Sequence, residues 1–301
     1  MQSLVLKVDV DTLRGTREGV PRLARLFKDT GANATFLCSL GPDHTGRAIK
    51  RIFRPGFMKK VSRTSVIEHY GIRTLLYGTL LPGPDIGKLC STILRNVQNE
   101  GFETGIHTYN HILWQDYVKD KNVAWTQQQM QLAFDTYEQI FRQKARTFGA
   151  AGWQMNEHAF MLEDEFNFIY CSDTRGSSPF LPMIGDHPIT CPQFPTTLPT
   201  LDELLGRNGI TPENVAEHLL DLTSDTPEYG HVYTLHAELE GLKLFPVMEK
   251  LLNGWKAQGY NLCSLNDLAT RLDFSALPYC KVLQSEIPGR SGTLSIQGPV
   301  C

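Results

Sequence analysis

The chain has no run of about 18 uninterrupted apolar residues, so it offers no membrane-spanning helix. It has little net charge: 29 Lys and Arg stand against 32 Asp and Glu, a balance of -3 that by itself predicts no affinity for nucleic acid. Its seven cysteines (Cys38, Cys90, Cys171, Cys191, Cys263, Cys280, Cys301) are odd in number, widely spaced and contain no Cys-x-x-Cys. That pattern argues against a disulfide framework and reads as free thiols in a reducing cytosol. The opening Met-Gln-Ser-Leu-Val-Leu-Lys-Val-Asp breaks its apolar run too early for a signal peptide, so the expectation is a cytoplasmic protein. No internal repeat is visible. With 41% hydrophobic and 10% aromatic residues, the 301-residue chain has ample core material and is neither disordered nor fibrous.

What is present is an alternation of strands and helices. Leu4 to Val8 reads as a strand, followed by a helix with Val20, Leu23, Leu26 and Phe27 at helical spacing that stops at Gly31. Ala34 to Leu40 is a second strand. Ile86, Leu89, Ile93 and Val97 mark a helix closed by Gly101, and Phe102 to Ile106 a third strand. Met130, Phe134, Tyr137 and Phe141 mark the next helix, and weaker strands cover Arg146 to Phe148 and Phe168 to Cys171. Thr211-Pro212-Glu213 reads as a helix start, with a capping threonine and proline in the first turn. His231 to Leu235, a helix over Lys243 to Gln258, a strand over Tyr260 to Cys263 and a short helix capped by Ser264 complete the series. The alternation predicts an α/β fold with a parallel sheet and right-handed crossovers, closer to a closed or nearly closed (β/α) barrel than to an open sheet.

Residues 1–275 are expected to form this single barrel domain. Two segments break the pattern. Residues 42–84 are an insertion far longer than an ordinary strand-to-helix connection. Its stretch from Arg47 to Arg73 holds Arg47, Lys50, Arg51, Arg54, Lys59, Lys60, Arg63 and Arg73 against Glu68 alone, a local charge of +7 against -10 for the rest. These cations are interleaved with Phe53, Phe57, Met58 and Ile67, a composition suited to an anionic membrane surface, where each basic residue contributes about 1 kcal/mol. Packing on the barrel with a solvated basic face is the other reading. No recognition motif supports nucleic acid. Residues 276–301 have little apolar pattern and read as a C-terminal tail of poor order.

Chemistry concentrates just beyond the strands. Asp9 and Asp11 end the first strand, where period-two alternation points both carboxylates to one face. Side by side they repel unless a cation or donors hold them. His107 and His111 follow the third strand at i, i+4, a spacing that brings two imidazoles together for a divalent metal. In a chain with nine histidines that pair alone is weak. His236 follows Val232 to Leu235, and Asp173 and Arg175 follow Phe168 to Cys171. Barrel active sites are built at the C-terminal ends of strands, which would place all of these on one rim. Asp11, His107 and His111 would offer one oxygen and two nitrogen ligands, Asp9 a general base for water, and His236 an acid for a leaving amine. Together they are suited to amide hydrolysis. A phosphoesterase would need more carboxylate ligands than this rim supplies.

The constellation resembles the polysaccharide deacetylase family (NodB-homology, family 4 carbohydrate esterases) from about Leu4 to Leu272. Val8-Asp9-Val10-Asp11 looks like its first motif, His107-Thr108-Tyr109-Asn110-His111 like its His-Ser/Thr-x-x-His metal motif, and Leu235-His236 like its acid motif. The resemblance implies a distorted (β/α) barrel and a Zn, Co or Mn ion, with Asp173 tuning His236. The family's Arg-x-Pro motif is missing, since the corresponding stretch reads Ala150-Ala151-Gly152-Trp153-Gln154. Arg175 is the expected substitute for that arginine, and Trp153 the expected aromatic of the groove.

Asp9 to Pro21, Ser172-Asp173-Thr174-Arg175-Gly176 and Thr234 to Gly241 are similar to a narrower group, the undecaprenyl-phosphate 4-deoxy-4-formamido-L-arabinose deformylases. That similarity implies loss of formate from a polyprenyl-phosphate-linked formamido sugar, in the aminoarabinose modification of lipid A that underlies polymyxin resistance. It further implies work at the cytoplasmic face of the inner membrane. Glu240 is expected either to touch the sugar or to be a solvated acid at a helix start. The competing readings are a soluble N-acetyl sugar deacetylase, needing neither membrane nor basic insertion, and a silent barrel that binds polyprenyl-linked glycans.

Overall fold

The computed structural model describes residues 2–48 and 71–301. At its centre is β1 (Ser3–Val10), with every residue buried. A strand covered on both faces must be apolar throughout, which explains Leu4-Val5-Leu6 and Val8 and makes Lys7 within it conspicuous. Parallel to it run β2 (Thr35–Cys38), β3 (Glu103–Ile106), β4 (Thr147–Phe148) and β5 (Tyr170–Cys171) on one side. After β6 (Leu181–Ile184) and β7 (His187–Pro188), β8 (His231–His236) lies on the other side of β1. The order is β5-β4-β3-β2-β1-β8, and β9 (Asn261–Cys263) pairs with the first residues of β1. The expected distorted (β/α) barrel is thus a curled half-barrel.

Among the described residues no strand closes the gap between β5 and β8. An extended segment over 192–198 does so instead: Phe194 N–H donates to Cys171 O (2.8 Å) and Thr197 N–H to Val232 O (3.0 Å). The Thr196 and Thr234 hydroxyls meet at 2.6 Å.

Helices cover the sheet, some of them where the periodicity places them and others, over 111–117 and 157–165, where no helix was expected. α1 (Val20–Thr30) buries Leu23 and Phe27 and ends at Gly31 in the left-handed conformation, φ 65°. α2 (Ile86–Asn99), α3 (His111–Tyr117), α4 (Val123–Phe141) and α5 (Glu157–Glu165) each start at an Asp or Asn whose side chain accepts a backbone N–H. α6 (Val215–Leu222) and α7 (Phe245–Ala257) complete the set. The predicted start at Thr211-Pro212-Glu213 falls short of α6: Thr211 N–H donates to Asn214 Oδ1, spending these residues on a turn, and Asn214 becomes the cap. Ser264 begins its short helix with a reciprocal capping box to Asp267.

The tail differs from expectation. β10 (Tyr279–Ser285) and β11 (Leu294–Val300) form an antiparallel hairpin, and β10 also pairs with β6 in a second, four-stranded sheet. Only a few side chains here are buried, among them Cys280 and Leu294, so backbone pairing orders the segment without a readable apolar pattern.

Both stems of the insertion rest on the barrel. Gly46 N–H donates to Tyr77 O, and Tyr77 packs with Leu13, Ile86 and Cys90. Of the basic cluster, Arg47 and Arg73 are described. Lys50, Arg51, Arg54, Lys59, Lys60 and Arg63, with Phe53, Phe57, Met58 and Ile67, lie outside the described residues.

Candidate active site

Register builds the site. Asp9 on β1 is the ladder partner of His236 on β8, so the two side chains rise from neighbouring strands to the same face. Asp11 follows two residues on, past the strand end. His107 leaves β3, and the chain then turns at Thr108, whose φ of 81° is uncommon for a β-branched residue and marks a held conformation. Asn110 caps α3 through the Leu113 N–H, fixing His111 in the first turn.

Three side chains meet. His107 Nε2 lies 3.2 Å from Asp11 Oδ1, and His111 Nε2 lies 3.3 Å from Asp11 Oδ2. On the other edge of the ring, His107 Nδ1 is 3.8 Å from Asp9 Oδ1. Burial alone would raise the Asp11 carboxyl, but the His111 and His107 imidazoles overcome it and hold Asp11 well below the carboxylate range. Burial likewise opposes charge on His107, and the Asp9 and Asp11 carboxylates outweigh it, so its pKa is raised.

The donors fit a divalent ion. One oxygen of Asp11 and one nitrogen of each histidine lie within 4.8 Å of one another. Asp11 Oδ1, His107 Nδ1, Asp9 Oδ1 and His236 Nδ1 are buried without a hydrogen-bond partner, a costly state for a site that had no further occupant. Two imidazoles and a carboxylate suit several divalent metals.

The supporting residues differ from expectation. Arg175 does not reach Asp9: its guanidinium binds both oxygens of Glu203 (2.7 and 2.9 Å) and the carbonyls of Thr196 and Leu198. The cation beside Asp9 is Lys7, whose fully buried Nζ lies 3.4 Å from Asp9 Oδ2 and donates to Ser172 O. Lys7 and Asp9 are two residues apart on one strand and so share a face; a charged side chain inside an apolar parallel strand was the signal for it. Trp153 is not a groove wall open to substrate. It is 1% exposed, with Lys7, Arg175 and Arg290 against its ring and its Nε1 on Thr196.

Asp173 is held by the Ala150 N–H (2.6 Å) and by Gln193, and none of its hydrogen bonds reaches His236. Burial raises its carboxyl to about 6, against the nearby Glu163 and Lys7. Glu240 is neither solvated nor open to a sugar. Fully buried, it accepts the backbone N–H of His236 (2.9 Å) and the Tyr233 hydroxyl (3.1 Å), and burial lifts its carboxyl to about 7. Glu238, which sequence reasoning passed over, is also fully buried; burial, with Asp11 nearby, raises its pKa well above normal.

No family model matches the chain. A Shewanella sediminis protein named probable 4-deoxy-4-formamido-L-arabinose-phosphoundecaprenol deformylase ArnD is 35% identical over 292 residues, covering 97% of this chain and 93% of that protein. The protein of the same name from Wigglesworthia glossinidia brevipalpis is 32% identical over 284 residues, covering 94% of this chain and 98% of that one. Among solved structures, a Mycobacterium smegmatis protein assigned to the polysaccharide deacetylases aligns with a TM-score of 0.62 at 14% identity, covering 95% of this chain and 96% of that chain. Sequence kinship over nearly its whole length and a shared fold give one conclusion: the chain belongs to the ArnD deformylase family, hydrolases of carbon–nitrogen bonds built on the polysaccharide deacetylase fold.

Proposed function

We propose that this protein hydrolyses the formamide of 4-deoxy-4-formamido-L-arabinose carried on undecaprenyl phosphate, releasing formate and the free amino sugar. The observation that carries the reading is the meeting of Asp9, Asp11, His107 and His111 on one rim, with His236 in register beside Asp9. Asp11, His107 and His111 would hold a divalent cation, which supplies Lewis acidity at the formyl oxygen when bound.

The chain's own groups then move the protons. Asp9 takes a proton from water as its oxygen attacks the formyl carbon, and Lys7 keeps that carboxylate aimed. His236 gives a proton to the sugar nitrogen as the C–N bond breaks, so the amine leaves neutral and the formyl carbon leaves as formic acid, which loses its proton to water to give formate. The Glu240 carboxyl on the His236 backbone N–H and the Tyr233 hydroxyl behind it fix the acid's position.

The physiological setting we assign to this reaction is the aminoarabinose modification of lipid A, and with it polymyxin resistance; the formamido-arabinose deformylase names of the relatives support it. No helix among the described residues is long and apolar enough to cross a membrane. A polyprenyl substrate must nevertheless be met at the bilayer. The basic, aromatic-bearing insertion is the element proposed to hold the protein on the cytoplasmic face of the inner membrane.

The test is formate release from a formamido-arabinose polyprenyl phosphate by the purified protein, with chelator, metal add-back and His107→Ala. Chelator-sensitive release, absent in His107→Ala, is expected. Acetate from an N-acetyl sugar in place of formate would keep the mechanism and overturn the substrate. Silence on both substrates with metal bound would leave a binding protein.

A further inference from the structure

A second set of donors lies apart from the rim. Glu163 on α5, Cys171 at the end of β5 and Cys191 before the 192–198 segment are all buried, and one donor atom of each lies within 4.8 Å of the others. The two sulfurs are 3.6 Å apart. A disulfide needs about 2.05 Å, whereas two thiolates on one tetrahedral zinc, each at about 2.3 Å, are roughly 3.8 Å apart. Thiols in plain contact also reach this spacing, so the sulfurs alone decide nothing.

Glu163 decides it. Its Oε2 accepts from Gln193 Nε2 at 2.9 Å, while Oε1 is buried with no hydrogen-bond partner. This carboxyl lies beside the equally buried Asp173, with Gln193 Nε2 donating to both, and beside two buried thiols, and so many acidic groups packed together are costly unless a cation or shared protons hold them.

The surroundings hold these donors independently of any ion. Asp164, the next residue of α5, accepts the backbone N–H of Cys191 at 2.7 Å and both the N–H and the hydroxyl of Thr190. Cys171 and the 192–198 segment are tied by the Cys171 N–H to Pro192 O and the Phe194 N–H to Cys171 O. The three ligands therefore come from three elements already clamped in place, the supporting shell a metal site needs.

We propose that Glu163, Cys171 and Cys191 form a second cation site, for a thiophilic divalent metal of the zinc type, distinct from the Asp11–His107–His111 site. Binding replaces two S–H protons and the carboxyl proton with the metal and releases all three to solvent. Its role is structural: it staples α5 and β5 to the segment that closes the barrel between β5 and β8 and carries Gln193, the partner of Asp173. Thiolates favour zinc, cadmium or cobalt here over the manganese that the rim also suits.

The test is spectroscopic and needs no turnover. Full-length protein, stripped by chelator under reducing conditions, is titrated with Co(II). The expected result is about two ions per chain and a near-ultraviolet thiolate-to-cobalt charge-transfer band. His107→Ala should keep that band and lose the other ion. Cys191→Ser should lose the band and keep the rim ion, and Glu163→Gln, nearly isosteric, should weaken the band's cobalt affinity at least about tenfold. One ion per chain with no thiolate band, or an intact mass showing a Cys171–Cys191 disulfide in the isolated protein, would overturn the proposal and leave the deformylase reading untouched.

Discussion

Lys7 is the most exposed to disproof of the roles assigned here. Its ammonium is wholly buried, 3.4 Å from the Asp9 carboxylate, with the Ser172 carbonyl, the Trp153 ring and the Asp173 carboxyl also near it. At an effective dielectric of about 20, two unit charges at that distance attract by about 5 kcal/mol, part of which offsets the cost of burying them. Lys7→Met keeps the length and removes the charge, leaving a buried carboxylate without its cation and a carbonyl without its donor. Losing one partner of a buried pair costs about 3–5 kcal/mol, so the melting temperature should fall by roughly 10 °C. The pair also aims the base. If about 3 kcal/mol of that aim is lost in the transition state, kcat falls about 100-fold. KM should change little, because Lys7 has no surface to offer a substrate. Lys7→Arg should recover most of both losses. Steady-state formate release, a thermal melt and metal content on the three proteins decide it. Wild-type kcat in Lys7→Met, or Lys7→Arg no better than Lys7→Met, would show that the ammonium fills space and does not position Asp9.

The other predictions concern separate parts of the site. Asp9→Asn and His236→Ala should each lower kcat by about 10²–10⁴-fold with metal content unchanged; loss of metal in either would move that residue into the ligand set. Burial lifts the Glu240 carboxyl from 4.5 to about 7, so the folded chain keeps a proton that the unfolded chain releases, and stability is lost as pH rises through that interval. Glu240→Gln should therefore melt increasingly above the wild type between pH 5 and 8, by up to a few kcal/mol, and parallel pH curves would refute the assignment. Gly19 lies against the loop that follows His236, where a Cβ would fall 2.0 Å from the Ala237 carbonyl oxygen. Gly19→Ala should cost about 1–3 kcal/mol and lower kcat together, and a variant unchanged in both would show that this turn yields freely.

Local chemistry alone was enough for much of this molecule. The apolar run of β1, the helical spacing before Gly31 and the Ser264 cap describe interactions among residues close in the chain, and they are as legible in the letters as in the fold. So were Asp9 and Asp11, by alternation; His107 and His111 do meet, but across a turn at Thr108 between the end of β3 and the start of α3, not on the single helical turn their spacing suggested. The limits came where the partner of a side chain is set by register or packing. Arg175 looked available for Asp9, but the fold hands its guanidinium to Glu203, and the strand itself supplies Lys7. Glu240 looked solvated beside His236, yet the turn after β8 folds it inward onto the backbone of that histidine. The last residues looked like a tail because their order comes from a hairpin and its pairing with β6, which leave little trace in hydrophobicity. Sequence determined which groups were available for chemistry and on which face of their own element they stood. Tertiary structure decided which cation meets which carboxylate, because that depends on strands brought together from distant parts of the chain and on what burial leaves unpaired.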